Sequence, residues 1–154
     1  MIDTPQIVQV DAQSAAAVHV TVPRIDIQKV MGPAIGEVYA ALATQGIAPT
    51  GPWFTYHLQT PSYLFNFEAC VPVATPVAPI GRVKNTDRPA ARVARTVYHG
   101  DYQGLAQAWG ELRAWMTSNG HVPAQQLWEC YLTDPQMHPD PTTWRTELNQ
   151  PLID

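Results

Sequence analysis

Apolar and polar positions alternate along several short stretches of the chain and recur at helical spacing along two longer ones. The first segment, Ile7 to Val22, alternates around a small-residue break at Ser14 to Ala17. Val18, Val20 and Val22 bracket His19 and Thr21, and their β-branched side chains suit a pleated, half-buried surface. This predicts a hairpin of two strands. Gly32-Pro33 marks a helix start, because a proline at the first helical position gives up an N–H that would have no partner there. Ile35, Val38, Tyr39, Leu42 and Ala43 then recur at helical spacing, and Gly46 stops the run. Strands are predicted at Trp53 to Leu58 and Tyr63 to Val73. From there to Pro89 the chain is rich in proline and turn residues, with Pro76, Pro79, Gly81 and Asn85-Thr86-Asp87, so 76–89 reads as a connector between two halves.

The second half begins with a strand, Ala91 to Tyr98. Asp101 is placed to cap a helix whose apolar stripe is Leu105, Ala108, Trp109, Leu112, Trp115 and Met116. Asn119-Gly120 ends it. A strand from Gln126 to Leu132, a proline-rich loop from Thr133 to Pro141 and a last strand from Thr143 to Leu148 follow. The two halves share an order of strand, helix, strand, strand, and their junctions align. Gly46-Ile47-Ala48-Pro49 leads into Trp53–Leu58 with the same spacing as Gly120-His121-Val122-Pro123 into Leu127–Leu132. The expectation is an α+β fold: one domain over 1–154 made of duplicated βαββ units. The half-repeats run over roughly 5–75 and 88–152, with antiparallel sheet, one helix per half, and a pseudo-twofold seam forming a ligand groove.

Composition narrows the function classes. Charged residues are only 14% of the 154, apolar ones 45%, and nine basic against thirteen acidic side chains give a net charge of −4. No Lys/Arg cluster exists to track phosphates, which argues against a nucleic-acid partner. No apolar run approaches the ~20 residues of a membrane span, and Met1 to Val10 lacks the basic-then-apolar order of a secretory leader. Two cysteines, Cys70 and Cys130, make no disulfide framework and lack metal-knuckle spacing. They read as buried hydrophobes of a cytoplasmic protein. His99, His121 and His138 have no ligand-like spacing, so neither a metal nor a cofactor is expected.

The candidate chemistry lies in Leu127-Trp128-Glu129-Cys130-Tyr131-Leu132, an aromatic strand with one carboxylate in its middle. A period of two puts Leu127, Glu129 and Tyr131 on one face. Two readings are open. Glu129 is an exposed polar residue of a half-buried strand, or it sits in an aromatic groove where burial raises its pKa and it meets a cationic ligand or acts as general acid or base. The aligned strand puts Trp53, Thr55 and His57 in the places of Leu127, Glu129 and Tyr131. Trp53 and Tyr131 would be aromatic walls of such a groove. His57 is a polar wall or a surface histidine beside a turn. Tyr39 and Trp109 are aromatic candidates from the two helices, while Trp115 packs inside and Trp144 clamps the last strand. Aromatic faces around a carboxylate are suited to lipophilic cations.

These residues resemble a family. Val97-Tyr98-His99-Gly100-Asp101-Tyr102-Gln103-Gly104-Leu105, Ala108-Trp109-Gly110-Glu111-Leu112, Trp128-Glu129-Cys130-Tyr131-Leu132-Thr133-Asp134-Pro135 and the tail Asp140 to Leu148 look like the second half of GyrI-like small-molecule-binding domains. Phe65-Asn66-Phe67-Glu68-Ala69-Cys70-Val71-Pro72-Val73 is similar to that family's middle strand, which adds Phe67 to the candidate ligand contacts. The family supplies the effector-binding module of multidrug-responsive transcription activators and also occurs free-standing. The resemblance implies a duplicated βαββ fold with a pocket carboxylate at Glu129. It implies a stand-alone binder of amphipathic aromatic or cationic small molecules. It also leaves open a hydrolase of strained cyclopropane rings in DNA-alkylating natural products, with Glu129 and Tyr131 catalytic, and, ranked below it, a protein-binding gyrase inhibitor. A free-standing form is expected, because the regulators' helix-turn-helix domain does not fit before Ile7 in this sequence. Asn66 stands where the family often has Asp.

Overall fold

The computed structural model describes residues 1–153 and divides them into two compact units. The first unit is Asp11–Ala90. The second joins Met1–Val10 to the chain from Ala91 onward.

In the first unit β2 (Gln13–Pro23), β3 (Phe54–His57), β4 (Leu64–Pro72) and β5 (Lys84–Arg88) form an antiparallel sheet in the order β3-β4-β2-β5. Helix α1 (Ile27–Gln45) covers one face. Ala34, Val38, Ala41 and Leu42 point inward onto Val18, Val20, Phe67, Ala69 and Val71. Each fully buried Val or Leu of this kind contributes about 1.5–3 kcal/mol. Gly46, with φ of 68°, closes the helix and donates its N–H to the Ala43 and Leu42 carbonyls, a left-handed cap that only glycine adopts at no steric cost.

In the second unit β1 (Gln6–Val10), β6 (Ala91–His99), β7 (Leu127–Tyr131) and β8 (Arg145–Pro151) pair in the order β7-β8-β6-β1. Helix α2 (Leu105–Ser118) buries Ala108, Trp109, Leu112 and Met116 against Ala94, Tyr98, Leu127 and Leu148. Asp101 caps the short 3-10 turn that precedes α2 by accepting the Gln103 N–H.

The two units are the same design: sheet order, helix position and register agree. Thr55 lies opposite Ala69 as Glu129 lies opposite Leu148, and His57 opposite Phe67 as Tyr131 opposite Thr146. Counting back from Gly46 and Gly120, Ala34 corresponds to Ala108, Ile35 to Trp109, Val38 to Leu112 and Leu42 to Met116. This is the α+β arrangement of duplicated βαββ units, each with one extra edge strand, β5 or β1.

Three expectations are corrected. β1 and β2 are not hairpin partners: β1 pairs with β6, and β2 runs between β4 and β5. The apparent break at Ser14–Ala17 lies inside β2, where Ala15, Ala16 and Ala17 are buried; small side chains suit a central strand covered on both faces. Pro33 sits inside α1 rather than at its start, because the helix begins at Ile27. Pro33 and Lys29 lie on the exposed side of the helix, and Pro33 has no N–H to donate to the Lys29 carbonyl.

Candidate functional site

Glu129 projects from β7 toward α2, on the face that Leu127 and Tyr131 share. Both oxygens of its carboxylate are occupied. The indole Nε1–H of Trp109, one turn into α2, donates to Oε2 at 2.7 Å. The Tyr131 hydroxyl donates to Oε1 at 2.7 Å. Strand periodicity brings Tyr131 to the same face two residues on, and helical periodicity turns Trp109 inward beside Ala108 and Leu112. The residue keeps part of its surface, yet protein atoms crowd the carboxyl closely. Burial pushes its pKa above the ordinary carboxylate range, and the two hydrogen bonds only partly offset this. Both donors are neutral, and among the described residues no Lys, Arg or His side chain forms an ion pair with it.

Aromatic surface extends outward from this carboxylate. The Tyr131 ring meets Tyr102 edge-on with centroids 5.9 Å apart, and Tyr102 lies tilted against Trp144 at 5.0 Å. Trp144 is anchored by its indole N–H on the His138 carbonyl at 2.7 Å. Tyr102 is 39% exposed, so the cluster reaches the surface. Burial and the negative charges of Asp134 and Glu129 raise the Tyr102 phenol, which keeps it a neutral hydrogen-bond donor. Tyr102 was not among the residues singled out from the sequence, although it sits in the Gly100–Gly104 stretch. Those glycines have a steric reason: a Cβ on Gly104 would collide with the Tyr98 hydroxyl.

The corresponding place in the first unit has different chemistry. Thr55 stands where Glu129 does and is fully buried. His57 is 4% exposed rather than a surface histidine. Its ring lies 5.2 Å from Phe67 and 5.7 Å, edge-on, from Phe65. Its Nδ1 has no hydrogen-bond partner among the described residues, and burial pushes the imidazole down to about 4, so it is neutral. Trp53 packs against the α1 core, and Tyr39 sits on α1 with 40% of its surface exposed. Among the sequence candidates, then, Trp109, Glu129 and Tyr131 meet in the second unit, and His57 and Phe67 meet in the first.

Other chemistry is sparse. Among the described residues no three His, Cys, Asp or Glu side chains are placed to hold a metal ion, and no helix is long and apolar enough to cross a membrane. Cys70 is buried, and burial pushes its thiol well up; Cys130 is half-buried.

Comparison with solved structures gives the same fold throughout. The EcmrR C-terminal domain superposes with a TM-score of 0.85 at 19% identity, covering 98% of both chains. In the EcmrR–DNA complex the match has a TM-score of 0.81 at 20% identity, and this chain spans 57% of that protein's length. SAV2435 bound to tetraphenylphosphonium matches with a TM-score of 0.68 at 11% identity, over 97% of this chain and 94% of that one. At these identities the likeness is one of fold. No curated protein sequence matches significantly. A family model describing the GyrI-like small molecule binding domain matches residues 3–152, and the chain belongs to that family.

Proposed function

We propose that this small-molecule-binding domain takes lipophilic organic cations, with Glu129, held by Trp109 and Tyr131, as the counter-charge and Tyr131, Tyr102 and Trp144 as the aromatic surface. The observation that carries the reading is the Glu129 carboxylate. It is half-buried, held by two neutral aromatic donors, and without a basic partner among the described residues. A carboxylate in that state lacks a positive charge, and a delocalised cation supplies one while its apolar body stacks on the rings. The tetraphenylphosphonium held by the structurally similar SAV2435 is a cation of this class.

Calorimetric titration with tetraphenylphosphonium tests it. Glu129→Gln keeps a hydrogen-bond acceptor for Trp109 and removes the charge. It is expected to weaken binding roughly ten- to a hundred-fold, the worth of a charged interaction in a partly buried site. Because the cation needs the ionised carboxylate, wild-type affinity falls as pH drops through the raised Glu129 pKa, and the Gln variant shows no such limb. Equal affinities for the two proteins would remove Glu129 from the site.

A further inference from the structure

Thr146 lies directly across the β7–β8 ladder from Tyr131 and across the β6–β8 ladder from Tyr98. It shares the face that carries Glu129, one diagonal step away, a separation of about 7 Å between Cβ atoms in an antiparallel pair. The residue is fully buried and its Oγ1 finds no hydrogen-bond partner among the described residues. A buried hydroxyl left unpaired costs about 1–3 kcal/mol, whereas valine would fill the same volume at no such cost. The matching slot of the first unit, the pair His57 and Phe67, also holds a buried polar atom without a partner, His57 Nδ1. In both units, then, the cross-strand pair next to the Glu129 or Thr55 position keeps a polar group that the fold itself does not use.

Resting on the cation reading above, we propose that Thr146 is a second polar contact for the same ligand, which is an aromatic cation bearing a hydrogen-bonding oxygen or N–H within about 7 Å of its charge. Thr146 is paired across the ladder with Tyr131, whose hydroxyl is held by Glu129 Oε1. A cation arriving at Glu129 competes for that oxygen, and for its polar group to reach the Thr146 hydroxyl the Tyr131 ring must shift against Tyr102. A threonine hydroxyl both donates and accepts, so it serves either kind of ligand group.

Two probes separate this from its parent reading. Tetraphenylphosphonium has no hydrogen-bonding group; rhodamine 6G is an aromatic cation with N–H groups and oxygens. Binding of both is measured for the full chain as wild type, Thr146→Val, Thr146→Ser and Glu129→Gln. The expectation is that Thr146→Val weakens rhodamine 6G about three- to ten-fold and leaves tetraphenylphosphonium unchanged. Thr146→Ser should restore rhodamine 6G binding, and ligand-free Thr146→Val should melt no lower than wild type. If Glu129→Gln weakens both probes while Thr146→Val weakens neither, or both equally, the Thr146 assignment is wrong and the cation site stands. Failure of rhodamine 6G to bind a wild type that holds tetraphenylphosphonium also overturns the assignment. If neither probe binds, or Glu129→Gln changes neither affinity, the cation site falls and Thr146 with it.

Discussion

The two units share sheet order, register and helix placement, yet equivalent positions carry opposed solutions to burying polarity. In the second unit Glu129, Trp109 and Tyr131 form a satisfied carboxylate. In the first, Thr55, Ile35 and His57 occupy the corresponding places with no charge at all. The same backbone slot thus carries an acid in the unit where the helix offers an indole N–H and the strand offers a phenol, and a neutral threonine in the other. What distinguishes the candidate site is the trio, since neither the strand position nor the helix position alone calls for a charge.

The largest effect should come from forcing the two units to match. Thr55→Glu places a carboxylate in a fully buried slot, two residues from a neutral His57, in a unit whose helix has Ile35 at the position equivalent to Trp109 and so offers no indole donor. The expected loss is about 3–5 kcal/mol, as for a buried charge without a partner. Adding Ile35→Trp and His57→Tyr should recover part of it in denaturant unfolding. No difference between the single and triple variants would show that the trio is not what makes Glu129 tolerable.

His57 should dominate the acid side of the stability curve. Its folded pKa of about 4 lies below the unfolded 6.5, so the unfolded chain binds the extra proton between those values. Stability is full above about 6.5 and falls as pH drops toward 4, by about 3 kcal/mol in all. Urea melts of wild type and His57→Phe across that range measure it, and the phenylalanine variant should lose markedly less. Parallel curves would mean that the imidazole finds a partner when charged.

Trp109→Phe should have the smallest effect of the three. It keeps an aromatic ring in the core and deletes the N–H that holds Glu129 Oε2 at 2.7 Å. The carboxyl pKa should rise further, and stability at neutral pH should fall by about 1–3 kcal/mol. The loss should shrink at pH values low enough to protonate the acid. A loss that is the same at both pH values would assign the indole to packing alone.

Much of this was legible in the chain because two periodicities are local. A period of two placed Glu129 with Leu127 and Tyr131, and the spacing of Trp109 from Ala108 and Leu112 turned it inward. Tertiary pairing was less legible. Nothing in Gln6–Val10 says that its partner lies more than eighty residues on, so β1 and β2 read as a hairpin. β5 was hidden because Lys-Asn-Thr-Asp-Arg has no apolar alternation; it is an edge strand held by polar side chains. Ser14 bonds Asp87 at 2.9 Å, and Thr86 and Lys84 reach Glu68 at 2.9 and 3.4 Å. Thr146 carried no signal at all, since an unpaired hydroxyl is a property of its surroundings.

The placement of β1 also has a topological consequence. Val10 and Ala91 face each other across the β1–β6 ladder. The chain therefore leaves the second unit and re-enters it through a single doorway, and the eighty intervening residues are a cargo spliced into what would otherwise be an ordinary hairpin. A two-residue turn at that doorway would close the unit bearing Glu129 into one continuous miniature of four strands and a helix.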